Sequence, residues 1–272
     1  MKLSHTLLVS GVGLFAALHA YSQSASFDFE TAGQFGSNFR GVSLLGGTAA
    51  QTSNDVANDF VVHDRQTATS SGVAYLYDTT PGDSSSGTNS VFSTTLNLTA
   101  GFDFYTATAN SSLAIIFADS TNLSNNVMAL LTISNTGTAV DQLRFFKDGT
   151  VNTSSLTAGT QVGSNLSQDV GIHTGTTFTS GNGYSATLSV SGTTPTIALT
   201  AGGLSTSQAF SAGDMNWTST VVMLRLFDPA SSASAGIGID NFYITQIPEP
   251  SNMAMVSALF VGMSVIARRR RQ

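Results

Sequence analysis

Short segments in which apolar and polar residues alternate dominate the middle of the chain, and no segment there has the pattern of an amphipathic helix. The clearest covers residues 184–190, where Tyr184, Ala186 and Leu188 alternate with small polar residues. In a strand, this alternation places the apolar side chains on one face, which can pack on a core. Similar runs, separated by turn-forming residues, predict strands over 26–30, 72–77, 91–98, 101–107, 113–117, 127–133, 142–147, 221–227 and 236–247.

The lack of helices between these strands limits how they can be arranged. Without crossover helices the strands are expected to pair antiparallel, and for one domain of this size we predict an all-β, two-sheet sandwich of jelly-roll type. The alternative is a solenoid, but no period of roughly 20 to 50 residues repeats along the chain. Asp148 and Gly149, directly after an aromatic run, predict a short hairpin with a type I′ turn, because both tolerate positive φ angles.

Composition excludes several classes of protein. Charged residues make up 10% of the chain, against roughly 25% in ordinary soluble domains. Residues 25–247 are acidic and their basic residues form no cluster, so nucleic acid is not expected as a partner. Cysteine is absent, which excludes disulfides, thiolate metal sites and thiol nucleophiles.

The first 24 residues have the three parts of a secretory signal peptide. Lys2 supplies positive charge, residues 7–18 form an apolar run, and Ala20 and Ser22 are small residues before a candidate cleavage site. We therefore predict export, with residues 1–24 as the signal peptide and 25–247 as the folded body. The alternative is a buried N-terminal helix, which would not explain why the run has the length of a signal-peptide core.

The segment 248–272 also consists of three parts in order. Pro248, Glu249 and Pro250 cannot join a helix interior or a central strand, so they are expected to form an accessible extended segment. The apolar run over 253–267 is shorter than the roughly 20 residues that span a bilayer comfortably. A basic cluster follows, which is expected to stay on the cytoplasmic side of a membrane: Arg268, Arg269, Arg270 and Arg271.

This arrangement closely resembles the PEP-CTERM sorting signal of Gram-negative bacteria. The resemblance implies that the chain is a substrate of an exosortase, a membrane protease or transpeptidase acting at or near the tripeptide. It also implies an inner-membrane intermediate held by a C-terminal apolar helix, followed by release to the cell envelope or an exopolysaccharide matrix. The alternative is a plain tail anchor with incidental prolines.

The body resembles the concanavalin-like and carbohydrate-module β-sandwiches. An opening segment at 27–30 and a closing segment at 238–244 carry this resemblance, since both combine aromatic and acidic residues. It implies a two-sheet sandwich of the kind that often accompanies such sorting signals.

Residues suited to catalysis are scarce. Beyond the signal peptide the histidines are His63 and His173, and no serine lies in a Gly-x-Ser-x-Gly elbow. Glycoside hydrolysis needs two carboxylates across the scissile bond, but Glu30 and Glu249 are the only glutamates and no Glu-x-Asp-x-x-Glu strand occurs. We therefore predict no catalytic residues and no cofactor other than structural calcium.

Two candidate binding features remain. Calcium prefers hard oxygen ligands, and we expect Asp28, Glu30 and Asp240 to converge, with support from Asn241, if the first and last strands are neighbours. The alternative is that these carboxylates face water. Trp217 lies in a polar segment and is the candidate glycan contact, since the other aromatic residues are expected to pack in the core.

The leading hypothesis is therefore a non-catalytic envelope or matrix protein. The first alternative is a carbohydrate-binding module that recognises extracellular polysaccharide. The second alternative is a glycan-active hydrolase.

Overall fold

The computed structural model describes residues 23–45, 47–51, 60–65, 71–78, 91–94, 97–106, 111–133, 141–152, 155–168, 183–189, 194–228 and 237–247. Among them, no helix has the length and hydrophobicity that crossing a membrane requires. The signal peptide up to residue 22 and the whole predicted sorting signal lie outside the described residues, including Pro248, Glu249, Pro250, Arg268, Arg269, Arg270 and Arg271.

Strands make up most of the described chain. One short helix, α1 (Gln34–Asn38), and one 3-10 turn, η1 (Ala212–Asp214), interrupt them. The strands are β1 (Gln23–Phe27), β2 (Phe39–Leu45), β3 (Gly47–Gln51), β4 (Val61–Arg65), β5 (Ser71–Tyr77), β6 (Phe92–Ser93), β7 (Asn97–Thr106), β8 (Ser112–Asp119), β9 (Asn122–Thr132), β10 (Asp141–Lys147), β11 (Val151–Asn152), β12 (Ser155–Leu156), β13 (Thr160–Gln168), β14 (Gly183–Ser189), β15 (Thr196–Ala201), β16 (Leu204–Ala209), β17 (Ser219–Asp228) and β18 (Ile237–Ile247).

Sixteen of these strands form two eight-stranded sheets packed face to face, and β11 and β12 form a separate two-stranded ribbon. Sheet A has the order β16-β15-β14-β7-β18-β4-β3, with β1 also beside β18. Sheet B has the order β13-β10-β9-β8-β17-β5-β2, with β6 also beside β17. Because the pairings are antiparallel, the prediction of an all-β, antiparallel, two-sheet sandwich is confirmed.

Two buried tyrosines join the sheets by hydrogen bonds. The Tyr184 hydroxyl, from β14 of sheet A, donates to the Ala129 carbonyl at 2.6 Å and accepts from the Ile115 amide at 3.1 Å, both in sheet B. Burial raises the pKa of Tyr184 far above its usual value. In the opposite direction, the Tyr75 hydroxyl of sheet B accepts from the Ala49 amide of sheet A at 2.8 Å. These bonds satisfy polar groups that have no access to water.

Sheet B is also apolar on the face that points away from sheet A. In β8, the odd-numbered residues from 113 to 117 belong to the main core, and the even-numbered residues from 114 to 118 belong to a second apolar cluster. Val151 and Leu156, in the two-stranded ribbon of β11 and β12, pack on this second cluster near β2 and β5. We call this surface the outer face of sheet B.

The predicted short hairpin at Asp148 and Gly149 is wrong. Asp148 does adopt a positive φ of 55°, but the chain forms the ribbon of β11 and β12 before β13 pairs with β10. The reason lies in Asn126 of β9, whose side chain accepts from the Gly149 amide and donates to the Gly149 carbonyl. The turn is therefore tied to β9 rather than closed on itself.

Candidate functional site

A β-bulge in β18 shapes one area of the outer surface of sheet A. Opposite β7, the register shifts between Asp240, which pairs with Asp103, and Tyr243, which pairs with Gly101. Asn241 lies in the bulge with a φ of 50°, a left-handed conformation that asparagine tolerates better than most residues. A bulge inserts one extra residue and can redirect side chains.

The Asn241 side chain connects two carboxylates across this bulge. Its amide nitrogen donates to Asp103 at 3.0 Å and, more weakly, to Asp240 at 3.5 Å. The Asn241 backbone amide also donates to Asp240, at 2.7 Å. The two carboxylates are thereby held next to each other, and their remaining lone pairs can still accept hydrogen bonds from a ligand.

The surroundings of this pair are strongly acidic. Partial burial raises the pKa of Asp240 above its usual value, and the negative charges of Glu30, Asp103 and Asp28 raise it further. A ligand that brings hydroxyl donors suits such a surface, whereas a second anion is repelled by it.

A groove of about 450 Å³ opens beside the carboxylates. Asp103 and Asn241 line one part of it, and Ser185, Thr200 and Tyr243 line the rest, together with backbone of neighbouring residues. The Tyr243 ring lies across Gly101, since a Cβ atom there would be 2.8 Å from a ring carbon. The groove therefore combines the Tyr243 ring, the Asp103 carboxylate, the Asn241 amide and the hydroxyl groups of Ser185 and Thr200, a mixture typical of small-ligand sites.

The predicted calcium ligands lie near the same area of the surface. The first and last strands are neighbours, with Phe27 paired with Phe242, so Asp28 and Glu30 follow β1 close to Asp240. Asp28 instead accepts from the Glu30 backbone amide, and both of these side chains are exposed. In the ranges that the structure describes, no three carboxylate or histidine groups could hold a metal ion.

Trp217 is placed differently from the sequence-based interpretation. It is only 7% exposed and belongs to the main core. Its indole nitrogen donates to the Thr220 hydroxyl at 3.0 Å, and its carbonyl accepts from the Thr94 hydroxyl at 3.0 Å. A stacking platform for a sugar needs an exposed ring face, so the predicted glycan contact at Trp217 does not fit this position.

Sequence reasoning missed Asp103, Ser185 and Thr200 as members of a site. Each lies at an outward position of a strand, where a polar residue is unremarkable on its own. The available signal was the pair Asp240 and Asn241 inside an otherwise apolar strand, because both residue types are depleted in strands and together indicate a bulge.

No protein-family model matches the chain, and no curated protein matches it. Solved structures do match. Lectin II from Ulex europaeus is 10% identical, with a TM-score of 0.52 over 84% of this chain and 99% of that chain. Lectin UEA-II in complex with galactose is also 10% identical, with a TM-score of 0.50 over the same shares, 84% and 99%.

An endo-β-galactosidase from Clostridium perfringens is 8% identical, with a TM-score of 0.47 over 84% of this chain and 63% of that chain. At these identities the likeness to the two lectins shows the fold alone. The chain is therefore a β-sandwich that is similar in fold to these two lectins.

Proposed function

We propose that the chain is an exported, non-catalytic protein that binds carbohydrate, and that the acidic groove on sheet A is its binding site. The observation that carries the proposal is that the Tyr243 ring and the Asp103 carboxylate line one groove, with Asp240 held next to Asp103 by the Asn241 amide. A sugar ring has an apolar face that packs on an aromatic ring and hydroxyl groups that donate to carboxylates. The lectin-like fold supports this function by analogy.

The charge of the groove favours neutral glycans. Asp28, Glu30, Asp103 and Asp240 all lie near the site, so an acidic polysaccharide would meet like charges there. Ser185 and Thr200 add hydroxyl groups that can donate or accept. The proposed ligand class is therefore a neutral saccharide presented on an extracellular polymer.

Titration of the protein with a panel of neutral polysaccharides tests this proposal. Asp103→Asn keeps the size of the side chain and removes its charge. A hydrogen bond to a charged group contributes about 1.5–3 kcal/mol, so we expect affinity to fall roughly 10- to 100-fold.

Asp119→Asn is the matched control, because Asp119 accepts from Thr121 in the turn after β8, on the other sheet. It should leave the affinity unchanged. Equal affinity of the Asp103→Asn variant and the unmodified protein for every glycan that binds would exclude the groove as the site.

A second candidate function is glycoside hydrolysis, favoured by one observation. Asp103 and Asp240 contact the same amide nitrogen, and the pKa of Asp240 is raised by burial and by neighbouring carboxylates. A raised pKa on one of two nearby carboxyl groups is the property of a general acid. The Asn241 amide, however, occupies the space between the two groups, which favours binding over bond cleavage.

Release of reducing ends from a bound neutral glycan would distinguish hydrolysis from binding. Hydrolysis predicts that Asp240→Asn abolishes product release while the glycan still binds. We expect no release from either protein.

We also propose that the chain reaches the cell envelope or extracellular matrix by export and by exosortase processing at Pro248, Glu249 and Pro250. The three-part order of the C-terminal residues supports this proposal. Intact-mass measurement of the protein recovered from its native envelope tests it. We expect loss of roughly the last two dozen residues, and retention of that segment when the tripeptide is replaced by Ala-Ala-Ala. An Arg271 that is still present in the mature protein would contradict this route.

A further inference from the structure

Two arginines lie in one row on the outer face of sheet B. Arg225 of β17 pairs with Ala114 of β8, Ala114 pairs with Leu130 of β9, and Leu130 pairs with Arg144 of β10. Directly paired residues of neighbouring strands point to the same side of a sheet. Arg144 and Arg225 therefore project from the same face, on either side of a small alanine and a leucine.

The two guanidinium groups donate hydrogen bonds to neighbouring hydroxyl groups. Arg225 donates to the Ser112 hydroxyl at 3.3 Å, and Arg144 donates to the Thr132 hydroxyl at 2.7 Å. Ser112 and Thr132 are themselves a directly paired couple, so their side chains lie roughly 5 Å apart. Both arginine side chains thus extend towards the same directly paired couple, Ser112 and Thr132.

Each guanidinium also lies against an aromatic ring of its own strand. Arg144 is 5.6 Å from the centre of the Phe146 ring, and Arg225 is 5.7 Å from the centre of the Phe227 ring. These contacts favour a cation over a ring face. Of the two rings, Phe227 is half-buried and Phe146 is buried.

The positive charges of this pair have no counter-charge among the residues that the structure describes. Arg225 is only 7% exposed, and neither guanidinium forms an ion pair with a described carboxylate. The Nε atoms of both arginines are buried without a hydrogen-bond partner. Burial, and then the charge of Arg144, lower the pKa of Arg225 to about 10, so it remains charged at neutral pH.

Such an arrangement costs stability in the absence of a ligand. A buried charge is unfavourable unless it is paired, and two like charges side by side add repulsion. An oxyanion between the two guanidinium groups would accept from their free N–H donors and neutralise their positive charge. The arrangement of N–H donors on a guanidinium group matches the oxygens of carboxylate and sulfate groups.

We propose that Arg144 and Arg225 bind the carboxylate or sulfate group of an acidic polysaccharide on the outer face of sheet B. The half-buried ring of Phe227 can pack against the sugar that carries the group, which favours a glycan over a free inorganic anion. Arg144, Thr132 and Phe227 are half-buried, whereas Arg225 is only 7% exposed, so an anion would reach the pair from the side of Arg144. This site is separate from the acidic groove and does not depend on it.

Binding of polygalacturonate and of dextran sulfate to the full-length protein tests the proposal, with neutral dextran as the uncharged polymer. The main variant is Arg225→Met, and Lys147→Met is its control because it removes the same charge on the other face of β10, where Lys147 pairs with Asp214. We expect at least a tenfold loss of affinity for one of the two polyanions in the first variant and no change in the second. Preference for polygalacturonate would identify a carboxylate ligand, and preference for dextran sulfate a sulfate ligand.

Thermal stability separates a ligand site from a structural role. Without polyanion, Arg225→Met is expected to melt at the same temperature as the unmodified protein or higher, since an unpaired buried charge is removed. A saturating polyanion should raise the melting temperature of the unmodified protein by roughly 5 °C and leave that of the variant unchanged. If Arg225→Met does not fold, Arg144→Gln serves for the same binding measurement, because Arg144 is less buried.

Three results would overturn the proposal. One is that no polyanion binds, and another is that Lys147→Met weakens binding as much as Arg225→Met, which indicates unspecific attraction. The third is a variant that melts several degrees lower and binds polyanion unchanged. Asp103→Asn should leave polyanion binding intact, so failure of the neutral-glycan proposal would be seen separately.

Discussion

Replacing Tyr184 with phenylalanine removes a single oxygen atom from between the two sheets and is expected to cost much of the stability of the sandwich. The hydroxyl makes two hydrogen bonds, to the Ala129 carbonyl and from the Ile115 amide. Phenylalanine fills nearly the same volume, so no large cavity is created. The change therefore isolates the polar contribution.

The cost follows from the groups left behind. Each hydrogen bond contributes about 0.5–1.5 kcal/mol net, and a buried group left without a partner costs about 1–3 kcal/mol. Tyr184 is 2% exposed, so water cannot replace the hydroxyl. We expect the free energy of unfolding to fall by roughly 2–4 kcal/mol, which lowers the melting temperature by roughly 5–15 °C in a domain of this size.

Urea denaturation and thermal melting of the variant measure this loss. Tyr243→Phe is the control, since Tyr243 is half-buried and its hydroxyl makes no hydrogen bond with a described residue; it should change stability by less than about 0.5 kcal/mol. A loss below about 1 kcal/mol for Tyr184→Phe would refute the reasoning. It would mean that Ile115 and Ala129, which are register partners, bond directly once the hydroxyl is gone.

Two further predictions concern the groove side of sheet A. Because the folded state raises the pKa of Asp240, its ionised form lowers stability at neutral pH; Asp240→Asn should resist urea better than the unmodified protein at pH 7. This difference in urea stability should disappear as the pH falls through the pKa of Asp240 in the folded state and below its unfolded value of about 3.9. A difference that persists at pH 3 would contradict a raised pKa for Asp240. Gly238→Ala would place a Cβ atom 2.0 Å from the Tyr105 ring and should cost about 1–3 kcal/mol by urea denaturation. Gly203→Ala, which meets open space, is its control, and equal stability of the two variants would show that the ring moves freely.

The central strands could be predicted from the sequence because they are buried. The ends of β5, β8, β14 and β17 lie within one or two residues of the ends of the predicted runs. The edge strand β16 was missed, since its residues are exposed or half-buried throughout and carry no apolar face. The edge strand β13 has a similarly polar composition. Alternation of apolar and polar residues indicates a strand only when one face of that strand packs on the core, so an edge strand without such a face is missed.

The candidate sites were harder to predict because they depend on register. Asp240 and Asn241 were singled out as residues of interest, but Asp103 reaches them from a strand more than a hundred positions earlier. The arginine pair likewise depends on four strands in alignment. Trp217 was misjudged because its polar neighbours are exposed while its own side chain inserts into the core.

The bulge gives β18 one more residue than the facing segment of β7. Ile237 and Ile239 enter the core before it, and Phe242 and Ile244 enter the core after it. Deleting Asn241 would restore an unbroken alternation in which these four residues keep their inward direction. A chain shortened by that one amino acid would thus retain the packing of its last strand and lose the amide that holds Asp103 and Asp240 together. Deletion of one residue would therefore separate the packing of the interior from the proposed binding surface.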